Sequence, residues 1–146
     1  MKAPKVIKVG CDFSGMCTMG TAMARMFPSS KYVIKFASDT LDEAHMLAAH
    51  KSGNKPEIFY ADVLERDLAT VPETDVYAWT PPCQSYSTNA AGDGVKDPRG
   101  SLIAEGVKYV VKHKPRVAFF ENVKGLTGKK HKPVVKGLQN ALKRAG

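Results

Sequence analysis

Asp75-Val76-Tyr77-Ala78-Trp79-Thr80-Pro81-Pro82-Cys83-Gln84-Ser85 is the stretch on which the reading of this chain turns. Its first five residues mix β-branched, aromatic and small side chains and read as a buried strand. Two prolines then fix φ twice and remove two backbone donors, which ends the strand and stiffens the turn beyond it. A cysteine is thereby held where a strand gives way to a loop. In open α/β sheets that is where ligands bind, outside the carboxyl ends of the strands. A lone cysteine is commonly a small buried hydrophobe, so the tripeptide alone leaves both a structural and a nucleophilic reading open.

The same punctuation recurs on both sides. Residues 5–11 form a β-branched run ending in Gly10-Cys11, followed by the small-residue turn Asp12-Phe13-Ser14-Gly15-Met16 and a helix over 21–27 that Pro28 stops. Such a turn lets backbone amides approach a ligand at a helix N-terminus. Tyr32–Ser38 is a second strand with Asp39 behind it, 27 residues after Asp12. In dinucleotide folds an acid near that place bonds a ribose hydroxyl. Asp39 or Thr40 could equally cap a helix over 41–50. A third strand over 57–61 ends at Asp62, and a brief helix over 63–69 comes next.

Residues 84–98, rich in Asn, Gly, Asp and Lys, read as a mobile loop. Ser101 is placed to cap a helix over 102–113, with Leu102, Ile103, Val107, Val110 and Val111 on one face. A fifth strand over 115–121 carries Glu121 at its end. A basic helix over 132–145 buries Val134, Val135, Leu138 and Leu142. Strands and helices alternate five times, which predicts an α/β doubly wound parallel sheet and one domain over 1–146. The Phe13-Ser14-Gly15 turn, Asp39, Asp62, Cys83 and Glu121 each come directly after a strand, so the sheet should carry them to one edge.

Composition bounds the rest. The 146 residues are 43% hydrophobic and 25% charged, ordinary for a globular domain with a core of its own. No apolar run reaches membrane-spanning length. The opening Met1-Lys2-Ala3-Pro4-Lys5 has no apolar stretch behind it, so the expectation is a cytoplasmic or nuclear protein without a secretion signal. Cys11, Cys17 and Cys83 suit neither a disulfide framework nor a zinc site. The net charge of +8 is concentrated from Lys124 onward, where Lys and Arg recur without a single acid. That fits a polyanionic partner and fits equally a solvated basic helix.

Four segments in order resemble the C5-cytosine methyltransferase family. Phe13-Ser14-Gly15 resembles its F-x-G cofactor turn, and Pro82-Cys83-Gln84 its catalytic Pro-Cys-Gln. Asp97-Pro98-Arg99-Gly100-Ser101-Leu102 resembles the segment before its next helix. Glu121-Asn122-Val123, 38 residues after Cys83, matches its Glu-Asn-Val. The resemblance spans nearly the whole chain and implies a Rossmann-like fold, S-adenosylmethionine as cofactor and DNA as substrate, with RNA cytosine the alternative.

It implies that Cys83 adds to cytosine C6 and that Glu121 holds N3 and the exocyclic amine; a Glu kept protonated, or sharing a proton with N3, would need a raised pKa, which burial can supply. Asn122 would position the Pro-Cys loop, and Arg99 would contact a phosphate or the pocket of the flipped base. Gln84 and Ser87 would touch the nucleic acid. For the cofactor it assigns Phe13, Ser14, Gly15 and Met16 to the turn. Asp39 and Thr40 go to the ribose side, Asp62 and Val63 to the adenine, and Pro82, Leu102 and Val123 to the methyl end.

Some residues depart from the family pattern. Cys11 stands where the family has Asp, and Asp12 sits one place later; Cys17-Thr18 replaces the next glycine; Thr40 stands where an aromatic is common; Pro81 precedes Pro82. The family's Gln-x-Arg-x-Arg segment, recognition domain and last motifs are not in these 146 residues. The expectation is therefore half of a split or truncated enzyme that works with a second chain, its last strand an open apolar edge. A non-catalytic partner of a methyltransferase, or a remnant, is the alternative of another class.

Overall fold

The computed structural model describes residues 6–16, 18–44, 55–86 and 98–146. Five strands form a parallel sheet: β1 Ile7–Asp12, β2 Tyr32–Ser38, β3 Ile58–Tyr60, β4 Val76–Trp79 and β5 Val117–Phe120. Their order is β3-β2-β1-β4-β5, the arrangement of a nucleotide-binding half-sheet. β1 is central and pairs in parallel with β2 from Ile7↔Tyr32 to Asp12↔Ser38, and with β4 from Val9↔Val76 to Asp12↔Trp79. A central parallel strand is covered on both faces, hence its unbroken buried run Val9 to Asp12.

The register with β2 slips by one residue between Val9 and Gly10. The reason for a glycine there is spatial: a Cβ on Gly10 would lie 2.4 Å from the ring of Phe36, which is fully buried.

Two compact units make up the described chain. The first holds the residues through Trp79 together with Pro115–Phe119. Helix α1, Thr18–Met26, lays Met23 against Val9, Tyr32 and Ile34, with Met19 and Phe27 at the margin. Burying side chains of this size stabilises by about 1.5–3 kcal/mol each. β5 is an edge strand on which Val117 and Phe119 are 44% and 54% exposed.

The second unit comprises Thr80–Lys114 and Phe120–Gly146. It is built from α2 Pro98–Ser101, α3 Ile103–His113 and α4 Lys132–Ala145 with short 3₁₀ turns between. Its core is Tyr86, Ile103 and Leu126, against which Phe120, Val123, Val134, Val135 and Leu138 pack. α3 ends at Lys114, which adopts φ 47° and donates its amide to the Val110 carbonyl. Pro115, the next residue, disfavours further helix.

Three expectations are corrected. Residues 63–69 are not helical: Asp62 and Asp67 each accept the amide two residues on, from Leu64 and Ala69, both at 2.8 Å. An Asp that bonds its own backbone draws the chain into turns. Ser101 does not cap α3 but is the last residue of α2, and Leu102 precedes α3 without a side-chain cap. Val111 is 46% exposed, and Tyr109, at 0%, takes the buried place beside Ile103, Gly106 and Val110. In the helix foreseen over 41–50, residues 42–44 are helical and 45–50 lie outside the described residues.

Candidate active site

In the first unit, a buried carboxylate at the end of β1 ties together the end of β2, the segment after β3, and β4. Asp12, the last residue of β1, is 1% exposed. Its Oδ1 accepts from Ser38 Oγ at 2.8 Å and from Arg66 Nη1 at 2.6 Å. Its Oδ2 accepts from Arg66 Nη2 and from the Tyr77 hydroxyl, both at 2.5 Å. A carboxylate offers about four lone-pair sites, and all four are taken. The Arg66 side chain is 2% exposed, and its guanidinium carbon lies 5.4 Å from the ring centres of Phe36 and Tyr60. Burial pushes the guanidinium's pKa down, but the hydrogen bonds and charge of Asp12 outweigh it and hold Arg66 above its ordinary value. Burial also pushes the Tyr60 hydroxyl up, with Arg66 working against it.

The turn leaving β1 is stitched to the end of β2. Phe13 has φ 56° and Gly15 φ 47°, the left-handed region that glycine tolerates and phenylalanine does not favour. Ser14 N–H donates to the Ser38 carbonyl at 2.8 Å, and Gly15 N–H to Asp39 Oδ2 at 2.7 Å. The other Asp39 oxygen accepts the Leu41 amide at 3.0 Å. Of the two capping candidates, then, Asp39 takes that amide, while Thr40 is exposed. Ser14 Oγ is buried with no hydrogen-bond partner. Val63 is 7% exposed, Asp62 is half-buried and Met16 is 61% exposed.

In the second unit the Pro-Pro-Cys turn is fixed from two sides. Pro81 is buried, and Pro82 and Cys83 are half-buried. Residues Gln84–Tyr86 form a 3₁₀ turn, closed by the Tyr86 amide donating to the Cys83 carbonyl at 2.9 Å. Tyr86 is 1% exposed. Its hydroxyl donates to the Gly100 carbonyl at 2.8 Å, and its ring meets His131 edge-on at 5.0 Å. From the other side, Asn122 Nδ2 donates to the Pro81 carbonyl at 3.1 Å, and Asn122 Oδ1 accepts the Val123 amide at 3.0 Å.

The loop read from the sequence over 84–98 thus opens as packed structure. Its remainder over 87–97 lies outside the described residues, Ser87 and Asp97 with it. Gln84, Arg99 and Glu121 are exposed, and Leu102 and Val123 half-buried. The burial foreseen for Glu121 is therefore not supplied by the described residues.

Sequence reasoning passed over Tyr86, Arg66 and Tyr77. Tyr86 carried a signal, an aromatic inside a polar loop. Arg66 carried none, because its partner Asp12 is 54 residues away.

The fold is a Rossmann-like parallel α/β sheet with helices, shared with solved methyltransferases. DNMT2 of Spodoptera frugiperda, solved as a triple mutant, superposes with a TM-score of 0.64 over 93% of this chain and 41% of its own, at 18% identity. The family model of the C-5 cytosine-specific DNA methylases matches residues 19–146, and the chain belongs to that family.

Among curated relatives, the Type II methyltransferase M.FnuDI of Fusobacterium nucleatum is 30% identical over 66% of this chain and 28% of its own length. M.HpaII of Haemophilus parainfluenzae is 31% identical over 74% of this chain and 30% of its own. The chain thus spans less than a third of these relatives. No helix among the described residues is long and apolar enough to cross a membrane.

Proposed function

We propose that this chain carries the nucleophile and part of the cofactor site of a DNA cytosine-C5 methyltransferase. The observation that carries the reading is the Asn122 amide bonded to the Pro81 carbonyl. It joins the two sequence motifs most specific to this chemistry, Pro82-Cys83-Gln84 and Glu121-Asn122-Val123, and holds the turn from which Cys83 projects.

The residues present fit S-adenosylmethionine. Asp39 keeps one lone pair on each oxygen beyond the amides it accepts, enough for ribose hydroxyls. Asp62 offers a second carboxylate for the adenine amine, with Val63 beside it. Gly15, with nothing within 4 Å of its Cβ position, leaves room for close approach, and the unpartnered Ser14 hydroxyl can bond a polar group there. Phe13, Met16 and Thr40 complete that side. When bound, the cofactor supplies an electrophilic methyl group.

Cytosine C5 is a poor nucleophile. Addition of the Cys83 thiolate to C6 makes C5 enamine-like, the carbon that takes up the methyl group. Departure of the C5 proton then lets the ring expel the thiolate and regain aromaticity. Glu121 holds N3 and the exocyclic amine and favours the charge that develops there. Arg99 and Gln84, both exposed, and Ser87 contact the nucleic acid. A target inside a duplex must first leave the stack, at a cost of about a few kcal/mol.

Two features support a larger assembly. Lys132, Lys136 and Lys143 are exposed along α4, and Lys124, Lys129 and Lys130 precede them, which suits a phosphate backbone. The apolar edge strand β5 suits coverage by a further segment or a second chain carrying the recognition domain.

The test is covalent trapping. A fluorine at C5 cannot leave as the proton does, so 5-fluorocytosine DNA with S-adenosylmethionine should hold Cys83 in an adduct that survives denaturation. The experiment is run on the chain alone and with the C-terminal part of a relative added. Adduct with 5-fluorocytosine RNA alone would move the substrate to RNA. No adduct with either, by a chain that folds, would sink the catalytic reading and favour a remnant or a non-catalytic partner.

A further inference from the structure

The Asp12–Arg66 pair has no part in the chemistry above, yet the Asp12 carboxylate accepts four hydrogen bonds, two of them from Arg66. Asp12 immediately precedes Phe13, the strained entry to the cofactor turn. Ser38 gives its hydroxyl to Asp12 and its carbonyl to the Ser14 amide, and it immediately precedes Asp39. Arg66 lies four residues after Asp62, on the segment leaving β3. One carboxylate therefore ties together three chain segments that carry the proposed cofactor contacts.

A buried ion pair is a weak stabiliser: an apolar group of similar volume often holds a core as well or better. What charge-directed bonds fix and apolar packing does not is direction. Arg66, Tyr77 and Ser38 are the partners that saturate the buried Asp12 carboxylate.

We infer that Asp12 and Arg66 are positioning residues that set the course of the Phe13-Ser14-Gly15 turn and of the segment after β3 for cofactor binding. The inference rests on the cofactor site proposed above. Replacing both residues with apolar ones of similar size, Asp12→Leu with Arg66→Met, should leave the urea midpoint close to that of the native chain. Either single change, leaving its partner buried and unpaired, should lower it.

The deciding readout needs no cofactor. In the double variant, hydrogen exchange at the Ser14 and Gly15 amides should speed up at least tenfold while the amides of α1 keep their protection. Titration with S-adenosylmethionine should show at least tenfold weaker binding. Unchanged exchange at Ser14 and Gly15 in a folded double variant would overturn the inference and leave the pair a core feature. Should the double variant not fold, Tyr77→Phe, which removes one of the four bonds and keeps the ring, provides the same readout. Native exchange rates in that variant would likewise overturn the inference. If exchange speeds up as expected but the native chain binds no S-adenosylmethionine, the positioning stands and the cofactor reading fails.

Discussion

Asn122 gives the sharpest test of how the nucleophile is held. Its side chain makes two bonds, one donated to the Pro81 carbonyl at 3.1 Å and one accepted from the Val123 amide at 3.0 Å. Asn122→Ala removes both. Each is worth about 0.5–1.5 kcal/mol net, more where a buried partner is left unpaired. Pro81 is buried, so the loss should total roughly 1–3 kcal/mol. Asn122→Asp separates the two bonds. It keeps an oxygen for the Val123 amide but turns the donor toward Pro81 into a second acceptor, which repels the carbonyl.

If the Asn122–Pro81 bond aims Cys83, Asn122→Asp should slow adduct formation with 5-fluorocytosine DNA by at least about tenfold, since 1.36 kcal/mol is a factor of ten in rate. The assay is single-turnover trapping at saturating DNA, alongside a urea titration. A folded Asn122→Asp chain that reacts at the native rate would refute the reasoning, because the turn would then be held by its prolines alone.

Three further outcomes are expected. Cys83→Ser should abolish the adduct and leave S-adenosylmethionine binding within about twofold of native by calorimetry, a shift of under about 0.5 kcal/mol; equal loss of both would make Cys83 a structural residue. Asp39→Ala removes a carboxylate that accepts the Gly15 and Leu41 amides, and charge-assisted bonds of this kind are worth about 1.5–3 kcal/mol each. Cofactor affinity should fall by tenfold or more, and unchanged affinity would assign Asp39 to capping. If α4 tracks a phosphate backbone, Lys132→Glu with Lys136→Glu should flatten the log–log salt dependence of duplex binding by about 0.9 per lost phosphate contact; an unaltered slope would make this face a solvated one.

Where sequence and structure agree, the signals are local. Tyr32–Ser38 and the α4 range were legible residue for residue, because β-branched density and a clean apolar stripe depend on neighbours in the chain. The parallel sheet was legible from alternation, since parallel strands need crossovers. The failures are equally specific. Residues 63–69 have a helical composition, but Asp62 and Asp67 capture amides two residues ahead and divert the backbone. Ser101 looked like a cap because nothing in the sequence marks the short helix Pro98–Ser101 that precedes α3. Val111 and Tyr109 exchanged places because a face cannot be phased to better than one residue without its packing partner. Arg66 was missed because what it bonds, Asp12, is 54 residues away, whereas Tyr86 was passed over although an aromatic inside a polar loop marked it.

Gly10 and Gly15 show two different ways in which a position can be barred to change. At residue 15 the obstacle is conformational: the space is open and φ is 47°. A mutational scan should therefore find asparagine, which tolerates the left-handed region, the mildest replacement there. At residue 10 the obstacle is volume, and it is propagated. Any side chain must displace the Phe36 ring, which is also one of the two rings against which Arg66 rests. Laboratory evolution of this chain would thus reach position 10 only after a smaller residue has replaced Phe36, a fixed order of substitutions imposed by one ring.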